Sequence, residues 1–79
     1  MLQFSDAFSE VVKQLREARK LSRAALAKKA GLHQTYIGLL ERRERSPNLD
    51  TAKAIADALE VPLGKMITKA ERRAAKPLP

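Results

Sequence analysis

The chain has 79 residues, 44% of them hydrophobic and 32% charged. A chain this short buries only about 60% of the surface its unfolded form exposes, so the expectation is one domain, 1–79, with no room for a second. It has no cysteine, and its only aromatics are Phe4, Phe8 and Tyr36, which excludes a disulfide framework or thiolate metal site and leaves an aliphatic, alanine-rich core that favours packed helices.

No apolar run approaches the roughly 20 residues that span a bilayer. Acids at Asp6 and Glu10 stand where a secretion signal carries a basic start, so a cytoplasmic protein without a membrane partner is expected. The net charge is +7, and its distribution is informative. Residues 13–45 hold ten of the Lys and Arg residues against three acids, while the rest of the chain is neutral overall. A localised basic surface suits a polyanion such as nucleic acid, although an anionic membrane or an acidic protein feels the same field, and a surplus of Lys and Arg also serves plain solubility.

Along the chain, Ser5 is placed to cap a first helix with Asp6 near its positive end, and Phe8, Val11, Val12, Leu15 and Ala18 follow at helical spacing to about Arg19. Ser22 caps a short second helix in which Leu26, Ala27 and Ala30 share a face before Gly31 closes it. The third runs from about Gln34 to Arg42, with Ile37 and Leu40 one turn apart and Leu32 packing beneath. Residues 43–47 read as a loop ahead of Pro47. Asn48 caps a fourth helix with the stripe Leu49, Ala52, Ile55, Ala56 and Leu59. Pro62 starts a fifth, in which Leu63, Met66, Ile67 and Ala70 face one way. Residues 71–79 lack an apolar face and end in two prolines, so fraying is expected there. No strand alternation appears, and the fold class is all-α, a compact bundle of five helices.

Residues 23–42 carry the functional signal. Ala27 lets two helices approach closely, Gly31 supplies the positive φ of a sharp turn four residues later, and Ile37 and Leu40 anchor the next helix. The product is a helix-turn-helix. With Ile37 and Leu40 inward, Thr35 and Leu39 fall near the outward centre, Gly38 and Tyr36 on the flanks, and Gln34 at the leading end. A mid-helix Gly38 costs about 1 kcal/mol against Ala, and a solvated face gains nothing from it. Against DNA, Gly38 allows close approach, Leu39 meets a thymine methyl, Gln34 pairs bidentately with adenine, and Thr35 serves a base or a phosphate. An exposed Leu is common, however, and Gly38 could instead accommodate a neighbouring helix.

The tract from Leu15 to Ile67, about two thirds of the chain, resembles the Cro and phage-repressor type of helix-turn-helix domain, the XRE family. Its most specific parts are the Ala27/Gly31/Ile37 register, Tyr36-Ile37 followed by Leu40-Glu41-Arg42, and Pro47-Asn48-Leu49. The resemblance implies a lambda-repressor-like five-helix domain that docks its third helix in the major groove of double-stranded DNA. Family members commonly begin the second helix with Gln, which grips phosphate and braces the first recognition residue. Arg23 stands there in this chain, implying a stronger phosphate grip and leaving the bracing open. The family also implies an ion pair between Arg16 and Glu41. Glu41 lies within about 40° of the inward direction at 100° per residue, so its carboxylate needs the bidentate partner that Arg supplies.

Arg42, Arg43 and Arg45, with Arg23 and Lys28, are candidate phosphate contacts, as is His33 at the start of the third helix. Tyr36 suits either the DNA backbone or a half-buried place with its hydroxyl at the rim. A lone histidine makes no metal site, and no cofactor, small-molecule ligand or catalytic constellation is expected. One short recognition helix reads few base pairs, so a homodimer is expected. Leu63, Met66 and Ile67 are its candidate surface, although Leu63 and Ile67 serve equally well in the monomer core, and the Phe4/Phe8 end is a further option. The leading function is a sequence-specific transcriptional regulator, similar to restriction–modification controllers, Cro-like repressors or antitoxins. The alternative is an interaction module for an acidic partner such as a toxin or a polymerase subunit.

Overall fold

The computed structural model describes residues 3–75 as five helices: α1 (Phe4–Ala18), α2 (Arg23–Ala30), α3 (Gln34–Glu41), α4 (Leu49–Leu59) and α5 (Leu63–Ala75). α1 and α5 pack along each other, and α2 packs against α3 and α4. The core between them is aliphatic: Val11, Val12, Leu26, Ile37, Leu40, Ile55, Leu59 and Met66 are its large, fully enclosed side chains.

Local chemistry sets most of the helix ends. Ser22 and Asn48 accept the Ala25 and Thr51 amides at 3.0 and 2.7 Å, satisfying donors that a helix start leaves free. α1 begins differently from expectation. Gln3 is its N-cap, with no side-chain bond, and Ser5 lies inside the first turn. Phe4 therefore joins the helix.

The turn between α2 and α3 depends on Gly31, whose φ is +71°. The Leu32 amide returns to the Ala27 carbonyl at 2.8 Å, the closure of a Schellman turn. Lys20, Arg43 and Glu60 take the same left-handed conformation without being glycine, which costs a side chain about 1–2 kcal/mol.

α5 does not fray at Ala70. It continues to Ala75 because Ala74 packs on the core and Arg73 reaches across to α1, donating to Gln14 Oε1 at 2.8 Å and Glu10 Oε1 at 3.2 Å. An apolar stripe is not needed where a charged side chain supplies the docking contact. Residues 76–79 of the expected frayed tail lie outside the described residues. Leu49 also departs from expectation. It opens α4 one turn ahead of the buried stripe and is 77% exposed.

What positions α3 is a carboxylate. Glu41, at its last turn, has a side chain only 1% exposed. Arg16 of α1 donates to it through Nε at 2.6 Å and Nη2 at 3.0 Å, and Arg23 of α2 adds Nε at 3.0 Å. Arg16 Nη1 also donates to the Leu21 carbonyl at 2.8 Å, so one guanidinium joins α1, the α1–α2 turn and α3. Burial alone would raise the Glu41 carboxyl, but the hydrogen bonds and charges of Arg16 and Arg23 outweigh it and hold the pKa below the ordinary value.

Glu41→Ala leaves Arg16 without its buried partner and is expected to cost about 3 kcal/mol in urea unfolding. Because the folded pKa is lowered, the wild-type contribution is complete above the unfolded carboxylate value near 4.5 and is lost as pH falls through the folded value. The variant's stability should change less with pH across that window. Glu60→Gly, at a left-handed position, is expected to raise the thermal midpoint, with a gain of up to about 1 kcal/mol.

Candidate nucleic-acid interface

α3 has two unlike sides. Ile37 and Leu40 are fully buried, while Gln34 and Thr35 are exposed and Leu39 is half-buried between the two environments. His33 caps the helix, its Nδ1 accepting the Thr35 amide at 3.3 Å. This fixes the first turn, from which Gln34 and Thr35 project. Tyr36 is half-buried and packs against the core, the more enclosed of its two expected places.

Gly38 requires a correction. It is buried rather than open, and its cover is the guanidinium of Arg42: a Cβ at this position would sit 3.1 Å from Arg42 Nη1. The space that glycine leaves is occupied by the side chain of the C-cap residue of α3, so Gly38 is covered by Arg42 in the free protein.

The Lys and Arg candidates for phosphate contact divide into two groups. Lys28 and Arg45 are exposed and have no ion pair among the described residues. Arg23, Arg42 and Arg43 hold carboxylates. Arg23 serves Glu41 and is 41% exposed, so it braces the end of α3 from α2. Arg42 Nε donates to Glu44 Oε2 at 2.8 Å. Arg43 pairs with Glu10 of α1, which Arg73 also engages. A polyanion approaching these arginines meets groups already partly neutralised. Glu10 and Glu44 are the residues that sequence reasoning missed. Glu44 follows Arg42 by two positions and was legible as a neighbour, whereas Glu10 lies 33 residues from Arg43 and left no local signal.

The surface expected for a partner copy also changes. Met66 is fully enclosed in the monomer core and contributes nothing to the outside, because its place on α5 faces the centre of the bundle. Leu63 and Ile67 are half-buried against that core. Ile67 lines a groove of about 80 Å³ with Phe4, Phe8, Pro47, Leu49 and Ala52, and this groove joins Phe4 and Leu49, the two exposed large apolar residues among the described residues. Among the described residues no group of three or more His, Cys, Asp or Glu could hold a metal ion, and no helix is long and apolar enough to cross a membrane.

Comparison with known proteins places this geometry. The model of a helix-turn-helix family matches residues 12–66. The control protein C.SmaI of Serratia marcescens is 37% identical over 68 residues, covering 86% of this chain and 81% of that protein. The immunity repressor of Bacillus phage phi105 is 36% identical over 56 residues, covering 71% of this chain and 39% of the repressor. Among solved structures, the restriction-modification controller C.AhdI from Aeromonas hydrophila superposes with a TM-score of 0.73 at 32% identity, over 76% of this chain and 91% of that one. The controller C.Esp1396I gives 0.87 over 99% and 100% of the two chains, at 24% identity, and so supports the fold. The family match over residues 12–66, with relatives named as a control protein and an immunity repressor, agrees with the turn at Gly31 and the two-sided α3: the chain belongs to the XRE-type helix-turn-helix family of DNA-binding regulators.

Proposed function

We propose that this chain regulates transcription in the cytoplasm by occupying an operator as a homodimer, with α3 of each copy in the major groove. The observation that carries the reading is the asymmetry of α3. Its inner side is fixed by Ile37, Leu40 and the doubly held Glu41, and its leading end offers Gln34 and Thr35 to the outside. Gln34 has the donor and acceptor pair that adenine presents in the major groove, Thr35 suits a base or a phosphate, and Leu39 suits a thymine methyl. Lys28 and Arg45 then position the protein on phosphates, with Arg43 able to exchange Glu10 for a phosphate oxygen. His33 and Tyr36 act through the backbone and packing of α3.

The test is binding to duplexes selected from random sequence. Gln34→Ala and Thr35→Ala should change which sequence is preferred, by about 1–3 kcal/mol per contact. Arg45→Ala should weaken all sequences alike and make the slope of log K against log salt shallower by about 0.9. A wild-type protein that binds every duplex equally, or that binds only an acidic protein such as a toxin or polymerase subunit, would contradict the reading.

The dimer is supported by the small reach of one two-turn helix and by the groove between α1, α4 and α5. Phe4, Leu49 and Ile67 present apolar surface there, and no Lys or Arg lines it, so contact at the groove itself opposes no basic side chains. Leu49→Glu should leave the monomer folded, because Leu49 is mostly exposed, and shift the sedimentation equilibrium toward monomer by tenfold or more. An unchanged association constant would move the interface elsewhere.

A further inference from the structure

Gln34 and Gly38 of α3 and Arg42, its C-cap, are four residues apart and therefore follow one row along the helix. Side chains on a helix lean toward its N-terminus, so Arg42 reaches back over Gly38 in the direction of Gln34. The three atoms nearest to a Cβ at position 38 are all from Arg42: Nη1 at 3.1 Å, and Cζ and Nη2 at 3.8 Å. A side chain at position 38 would make the guanidinium give way by a few tenths of an ångström. Arg42 Nε donates to Glu44 Oε2 at 2.8 Å, which limits rotation about the end of the side chain, and the two Nη groups have no hydrogen-bonded protein acceptor among the described residues. Both side chains are about half exposed, 52% and 56%, so this pair does little for stability. Its effect is to hold a paired set of N–H donors on the row that Gln34 begins.

We infer that Arg42 reads a base, with Gly38 and Glu44 as the positioning residues that hold its guanidinium for the task. The end-on Nη1 and Nη2 donors match the O6 and N7 acceptors of guanine, so the ligand class is a G·C pair in the half-site. The inference rests on the regulator reading and deepens it, because it moves Arg42 from phosphate contact to sequence discrimination. It also accounts for a glycine in mid-helix. Ala at position 38 would be a better helix former, yet its methyl group would shift Nη1 by a few tenths of an ångström.

The experiment measures affinity for the selected duplex and for duplexes changed at each position, using wild type, Arg42→Ala, Arg42→Lys, Gly38→Ala and Glu44→Gln, with thermal melts as a check on folding. Arg42→Ala is expected to lose about tenfold to a hundredfold discrimination at one G·C position per half-site, and Lys, a point charge without the fork, should not restore it. Gly38→Ala should melt no lower than wild type and still lose discrimination at that same position. Glu44→Gln should lose it there too, although removal of a negative charge favours binding elsewhere. Equal weakening of all duplexes by Arg42→Ala, with a shallower salt slope, would make Arg42 a phosphate contact and overturn the inference while leaving the regulator reading intact. Unchanged discrimination in Gly38→Ala would overturn the positioning role. A wild-type protein with no preference among duplexes would overturn the regulator reading and this assignment together.

Discussion

The carboxylate of Glu41 is the constraint on which the arrangement depends. Nearly all of it is out of water, and an ionised group in that position is tolerable only when its lone pairs are filled by matched donors. Two arginines from two different helices supply them, and one of these also ties down the turn at Leu21. The result is directional. Apolar packing of Ile37 and Leu40 would hold α3 to the bundle but would tolerate some rotation about its axis. A bidentate pair at one end and a second arginine beside it select a single rotation, and that rotation decides which residues face outward. Specific recognition of base edges needs this kind of preorganisation, because side chains on a loosely held helix would lose in ordering what they gain in contact.

Much of this was legible in the sequence, and the reasons are local. Caps at Ser22 and Asn48 announce themselves by residue type, and Gly31 marks the turn because few other residues sit comfortably at positive φ. The inward direction of α3 follows from two apolar residues one turn apart. The failures came where distant parts of the chain meet. Nothing near Arg73 says that Glu10 and Gln14 will hold it, so the end of α5 looked unanchored. Periodicity put Leu49 in the buried stripe of α4, but the first turn of a helix projects beyond the element beneath it. Periodicity does not distinguish a buried Met66 from a surface one, because the depth of the core between α1 and α5 is a tertiary property. Gly38 is anomalous in mid-helix by residue type, and the Arg42 side chain that covers it is a contact that residue type alone does not announce.

Charge in this protein is arranged rather than merely accumulated. The segment that carries the whole excess also contains arginines committed to Glu41, Glu44 and Glu10. These pairs fix where guanidinium groups stand, and each lowers the field that an approaching polyanion meets. On the proposed reading, basic residues with no ion pair among the described residues, such as Lys28 and Arg45, supply general attraction, while the paired ones supply geometry. A regulator that must leave the wrong sequences as readily as it finds the right one benefits from that division, since uniform attraction raises affinity for every duplex alike. The exposed apolar surface follows the same economy: Phe4 and Leu49 lie together beside Ile67 rather than scattered over the bundle.

The most direct test of the account is to follow backbone amide NMR signals of the uniformly labelled protein as its selected duplex is added. The account predicts that the largest shifts gather at Gln34, Thr35 and Leu39 and at the flanking amides of the α2–α3 turn, while Val11, Ile55 and Met66 in the core scarcely move. Shifts concentrated instead along α5, with α3 unaffected, would contradict it.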